Sequence, residues 1–98
     1  MGFVQIIEYT TSRKDEIDRV IDEWRAATEG KRSATRVTSC ADRDNANTYI
    51  DVVEFPSYEV AMANSTLPET AAMAEKFAKL CDKGPSFRNL ESVRIENL

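Results

Sequence analysis

Ninety-eight residues, 42% hydrophobic and 31% charged, have the size and balance of one globular domain spanning residues 1–98, with no internal repeat, linker or low-complexity tract. The formal charge of −4 argues against a general nucleic-acid or anionic-membrane binder, because phosphate recognition needs a basic surface. Histidine is absent, which removes His-based acid/base chemistry, Ser-His-Asp and Cys-His nucleophile systems, and the commonest zinc and haem ligands.

The two cysteines, Cys40 and Cys81, are far apart and form no CxxC pair. Buried free thiols in a reduced, cytoplasmic setting are the expectation. The opening Met1-Gly-Phe-Val-Gln-Ile-Ile7 has no basic n-region, and no run approaches the ~20 apolar residues of a membrane span, so neither a signal peptide nor a membrane segment is expected. No Gly-rich phosphate loop is present.

Phe3 to Thr10 is rich in β-branched and aromatic residues and predicts a strand. Ser12 offers an N-cap, with Asp15 at the capping-box position. Ile17, Val20, Ile21 and Trp24 then fall at i, i+3, i+4 and i+7, the apolar stripe of a helix. Lys14, Asp15, Glu16, Asp18 and Arg19 read as its solvated face, and Gly30 as its stop.

Thr35 to Ala41 predicts a second strand, Asp42 to Asn47 a polar hairpin turn, and Thr48 to Phe55 a third strand. The near-continuous apolar run of the third strand suggests that both of its faces are covered. Ser57 caps a short helix, Tyr58 to Asn64. Thr66-Leu67-Pro68-Glu69 signals a restart, with Thr66 as N-cap and Pro68 tolerated in the first turn. Met73, Phe77, Leu80 and Cys81 form the apolar stripe of this second section, with Met62 and Met73 as packing fillers. Gly84-Pro85 stops it, and Phe87 to Asn97 supplies a last strand with Leu90, Val93 and Ile95 as its apolar positions.

The order β-α-β-β-α-β predicts a ferredoxin-like α+β fold: a four-stranded antiparallel sheet with two helices on one face. The other sheet face is then bare. Apolar residues occur on both parities of the first and third strands, so the bare face is expected to pack on a second copy in a two-fold dimer.

At residue level the junction Val53-Glu-Phe-Pro-Ser-Tyr-Glu-Val-Ala61 resembles the dimeric α/β-barrel superfamily, in particular antibiotic-biosynthesis-monooxygenase-like domains. There a strand ends in an aromatic residue and a helix opens with a Ser-x-Glu-Ala-like stretch. Asn64-Ser-Thr-Leu-Pro-Glu-Thr70 is similar to the family's kinked helix, and Pro85-Ser-Phe-Arg-Asn-Leu90 to its approach to the last strand. The resemblance implies sheets paired back to back in a dimeric α/β barrel. It also implies one of two chemistries: cofactor-independent oxidation of electron-rich aromatics by O2, or haem degradation. The haem branch carries a His ligand on the second helix, an Asn on the first strand and a Trp on the second helix. Here the Asn position falls at Glu8, the Trp position at Asn64, and no His exists, which argues against that branch.

The reading that follows is a small-molecule-binding homodimer acting as a cofactor-independent monooxygenase on an electron-rich aromatic, with no cofactor, metal, nucleic-acid or membrane partner. Asn64 would orient the ligand, Trp24 and Tyr49 would wall it, and Glu8 or Glu54 would act as base. Arg36 would bind the ligand as an anion clamp. Each residue also has a structural reading. Asn64 can cap the helix break, Trp24 can be core, Tyr49 can face the dimer interface, and Glu8 and Glu54 can be strand-edge residues or pair with Arg36 or Arg94. The alternative function is an accessory or metabolite-binding dimer without turnover; a module that binds a different protein through the sheet face is a third. A void of roughly 300 Å³ or more beside Asn64 and a carboxylate or tyrosine favours the enzyme, whereas a core filled by Trp24, Met62, Met73 and Phe77 favours the alternative.

Overall fold

The computed structural model describes residues 2–98. The elements in chain order are β1 (Phe3–Thr10), α1 (Lys14–Ala27), β2 (Arg36–Ala41), β3 (Thr48–Phe55), α2 (Tyr58–Ser65), α3 (Pro68–Leu80) and β4 (Lys83–Glu91). The strands form one antiparallel sheet in the order β2-β3-β1-β4, with β1 and β3 at its centre. This is the ferredoxin-like α+β arrangement, the second helical layer being split into α2 and α3 at Leu67-Pro68.

Strand pairing sets Phe3 opposite Phe55, Gln5 opposite Val53, Ile7 opposite Asp51 and Tyr9 opposite Tyr49. Because successive side chains alternate between faces, these eight residues share the face under the helices. The core there is two small clusters. Phe3, Val53, Phe55 and Ala61 form one; Tyr9, Ile17 and Phe77 form the other, and Ile7 touches both. Each buried large side chain in them contributes roughly 1.5–3 kcal/mol. Tyr9 packs edge-on against Phe77 at 4.7 Å and stacks on Tyr49 at 5.7 Å, which ties β1 to α3 and β3.

The opposite parity, Val4, Ile6, Ile50, Val52 and Leu90, lies on the face that carries no helix. Leu90 is 41% exposed and Ile6, Ile50 and Val52 are half-buried. Within the chain the expected cover on both faces of β3 is therefore present on one face only. Cys40 shares the open face on an edge strand and is exposed, contrary to the expectation of a buried thiol; Cys81 is half-buried.

Several local signals resolve differently from the sequence reading. Ser57 caps α2 as expected, its hydroxyl accepting the Val60 N–H at 3.2 Å. Ser12 does not cap α1. Its backbone N–H instead donates to Asp82 at 2.8 Å, and the buried Thr11 hydroxyl accepts the Arg13 N–H while donating to the Leu80 carbonyl at 2.7 Å. The start of α1 is thus fastened to the end of α3. Thr66 closes α2 by donating to the Ala63 carbonyl rather than opening α3, whose N-cap is Leu67 with Pro68 in the first turn. Gly84-Pro85 does not stop a helix but lies inside β4, which starts at Lys83 and ends at Glu91, so Val93 and Ile95 lie beyond the strand and are exposed.

Gly84 has a positive φ of 86°, and a Cβ there would meet the Glu8 carbonyl oxygen at 2.9 Å, beside the irregular pairing of Glu8 and Thr10. Gly30 also has a positive φ, 79°, but open space around it. Gly30→Ala should therefore cost only the conformational strain of about 1–2 kcal/mol. Gly84→Ala adds a backbone clash and should cost roughly 3 kcal/mol or more. Urea unfolding of both variants measures the difference; equal losses would show that the close approach to β1 carries no weight.

Candidate functional site

A cavity of about 250 Å³ lies between the sheet and the helices. That is somewhat under the volume expected from the sequence. Its walls are mostly apolar: Trp24, Val53, Phe55, Met73, Phe77 and Phe87 supply most of the hydrocarbon. The pocket is partly open to solvent, since Val37 and Phe87 on its wall are 44% and 55% exposed. Trp24, Met73 and Phe77 line the void instead of filling it.

Polar groups on this wall are few. Asn64 comes from the last turn of α2 and is buried, at 7% exposure. Its Oδ1 accepts the Ser33 N–H at 3.0 Å, and the Ser33 hydroxyl donates to the Val60 carbonyl at 3.0 Å. Asn64 therefore pins the segment between α1 and β2 onto α2; it does not cap the break. With Oδ1 occupied, the Nδ2 amide is the donor it can present to the cavity. Trp24 donates its indole N–H to the Thr70 hydroxyl at 2.9 Å, which fixes the ring across the gap between α1 and α3.

Asp51 is the carboxylate on this wall, at 3% exposure. The Tyr9 hydroxyl donates toward its Oδ1 at 3.5 Å, and the Lys14 ammonium donates to the Tyr9 oxygen at 3.2 Å and to Asp18 at 2.7 Å. Burial pushes the Asp51 carboxyl above the ordinary aspartate value, opposed by the Ser39 hydroxyl, the Lys14 charge and the Tyr9 hydroxyl. Burial, followed by the Asp51 charge, pushes Tyr9 up to about 12. Burial acts to lower Lys14, but the hydrogen bonds to Asp18 and Tyr9 outweigh it and the ammonium is held above its ordinary value.

The expected site residues divide between the two sheet faces. Asn64 and Trp24 are brought together on the cavity. Tyr49 is on the same face, stacked behind Tyr9. Glu8, Glu54 and Arg36 are not with them. Their parity in β1, β3 and β2 puts them on the open face, where Arg36 lies 3.6 Å from Glu54 and Glu8 borders a separate polar groove with Asp42, Asn45 and Lys83. Strand alternation thus sets Glu8 and Glu54 on the side of the sheet away from the cavity. Sequence reasoning missed Asp51, although a lone acid at the parity of Val53 and Phe55 was the available signal. It also missed Lys14, which turns inward instead of joining a solvated face.

No family model matches the chain, and no curated protein matches it. Solved structures do. The cofactor-independent oxygenase SnoaB from Streptomyces nogalater is 14% identical, with a TM-score of 0.80 over 96% of this chain and 95% of that one. A point variant of SnoaB superposes at 0.81. A provisionally assigned antibiotic biosynthesis monooxygenase from Nitrosomonas europaea is 7% identical, with a TM-score of 0.76 over 94% of this chain and 90% of that one. At these identities the likeness shows the fold: the chain has the ferredoxin-like α+β fold of the antibiotic-biosynthesis-monooxygenase domains. Among the described residues no helix is long and apolar enough to cross a membrane.

A carboxyl whose native pKa lies above its unfolded value holds its proton more tightly when folded. Asp51 therefore lowers stability as pH rises from the ordinary aspartate range through its raised native value. Asp51→Asn should abolish that loss and be more stable than wild type at neutral pH. Urea midpoints measured across this pH range decide it, and parallel curves for the two proteins would refute the assignment.

Proposed function

We propose that the cavity binds a small, electron-rich aromatic molecule and that the protein oxidises it with O2 without a cofactor. The observation that carries this reading is the apolar cavity between sheet and helices, with the Asn64 amide and the Asp51 carboxylate on its wall. The fold shared with a cofactor-independent oxygenase supports it. In such a reaction the substrate supplies the electrons. A deprotonated phenolic ring with an adjacent CH2 reduces O2, one oxygen ends in the new carbonyl, and the other leaves as water with the two hydrogens of that carbon. The protein's part is to bind, orient and exclude water. Asn64 donates to the phenolate oxygen through Nδ2, and Trp24 and Phe77 supply aromatic wall.

Binding without turnover is the second reading. It is favoured by the Asn64–Ser33 hydrogen bond, which gives Asn64 a structural task of its own. An oxygen-electrode screen against hydroxyanthrone and hydroquinone compounds separates the two. Turnover is expected, and Asn64→Ala should reduce kcat on the order of 10²-fold, the cost of losing one donor to a developing oxyanion. Ligand binding with no oxygen uptake would favour binding without turnover.

The acting form is inferred to be a homodimer joined through the open sheet face. The chain exposes 6833 Å², against about 5,700 Å² for an ordinary monomer of its mass. Val4, Ile6, Ile50, Val52 and Leu90 offer the apolar surface that a second copy would cover. Sedimentation at micromolar concentration should give a dimer and Ile6→Lys a monomer. A wild-type monomer would overturn the inference.

A further inference from the structure

Two placements break local rules. Asp51 is a charged residue inside the sheet among Ile7, Val53 and Tyr49, where burial of a carboxylate is unfavourable. Lys14 is a cation in the first turn of α1, the positive end of the helix dipole, where acids such as Asp15 and Glu16 belong. The geometry joins the two exceptions. Lys14 Nζ reaches the Tyr9 hydroxyl at 3.2 Å, and that hydroxyl faces Asp51 at 3.5 Å, so a line of polar contacts runs from the cavity wall to the mouth of α1. Asp18, more exposed, holds the other side of the ammonium at 2.7 Å. The remaining groups around Asp51 are neutral: Ser39 from β2, Tyr49 from β3, and the Asn64, Thr70, Met73 and Phe77 wall of α2 and α3. Lys14 is thus the cation that offsets the buried carboxylate.

We propose that Asp51 accepts the proton of a hydroxyl-bearing aromatic bound in the cavity, and that Lys14, acting through the Tyr9 hydroxyl, holds Asp51 in the charged form that this requires. This deepens the reading of the cavity as an aromatic site and rests on it. The step is a simple transfer. The phenolic O–H bond breaks, an O–H bond forms on the carboxyl group, and the electron pair stays on the phenolate oxygen. The carboxylate retains acceptor sites for such a hydroxyl, because the Tyr9 and Ser39 hydroxyls occupy only part of its capacity. Asp51 touches the ligand; Lys14 and Tyr9 are positioning residues.

The test is calorimetric binding of 1-naphthol as a function of pH to wild type, Asp51→Asn, Lys14→Met, Lys14→Arg and Tyr9→Phe, each first shown to be folded by circular dichroism. Wild-type affinity should fall on the acid side as Asp51 protonates, and Asp51→Asn should lack that fall. Lys14→Met and Tyr9→Phe should move it to higher pH, weakening binding at mildly acid pH on the order of tenfold, the effect of about one pKa unit. Lys14→Arg should restore the wild-type profile. An acid limb unchanged in Lys14→Met, a wild-type profile in Asp51→Asn, or no naphthol binding by wild type at mildly alkaline pH would each overturn the proposal. Naphthol binding with the predicted profile but no oxygen uptake by any hydroxyanthrone would count against the monooxygenase reading alone.

Discussion

The pairing of β1 with β3, Phe3 opposite Phe55 through Thr10 opposite Thr48, is the constraint on which the rest of this molecule depends. These are the two central strands, and their side chains alternate with a strict period of two. In this register Phe3, Ile7, Tyr9, Val53 and Phe55 meet the helices, and Asp51 arrives among them. A one-residue slip would send Glu8 and Glu54 under the helices and the aromatic residues to the open face. Burying two carboxylates in place of aromatics would cost several kcal/mol each, so the hydrophobic pattern holds the register.

The helices complete the site by bridging more than by filling. Thr11, Ser12 and Asp82 fasten the start of α1 to the end of α3, Trp24 hydrogen-bonds Thr70 across the same pair, and Asn64 holds the segment that leads into β2. These are polar links at the rim of a layer that stays hollow in the middle. The chain breaks at Leu67-Pro68 between α2 and α3, and the cavity is lined by residues from both.

Much of this was legible beforehand. β3 falls at Thr48–Phe55 and β1 at Phe3–Thr10, as the β-branched and aromatic runs indicate, and the Ser57 cap and the Pro68 restart stand where the local chemistry puts them. Signals of equal local strength went elsewhere when a tertiary partner competed for them. Ser12 could cap α1, but Asp82 claims its N–H, and the helix opens at Arg13 with no side-chain cap. Thr66 could open α3, but the free carbonyls at the end of α2 take its hydroxyl. Gly84-Pro85 reads as a helix stop, yet its positive φ serves the close approach of β4 to Glu8.

The residues themselves determined the element order, the helix-covered sheet, the split second helix and the exclusion of histidine chemistry. These depend on local periodicity, caps and composition, which act within one or two turns of chain. The choice of carboxylate did not lie there. Val4, Ile6, Ile50 and Val52 make the second face of the central strands apolar too, so alternation gives two parities, and only the aromatic residues on one and Glu8 and Glu54 on the other tell them apart. The expected carboxylates, Glu8 and Glu54, lie on the face that the helices leave open. Docking of the helices puts Asp51 on the cavity with Lys14 and Tyr9 behind it, because Tyr9 and Asp51, 42 positions apart in the chain, must first meet.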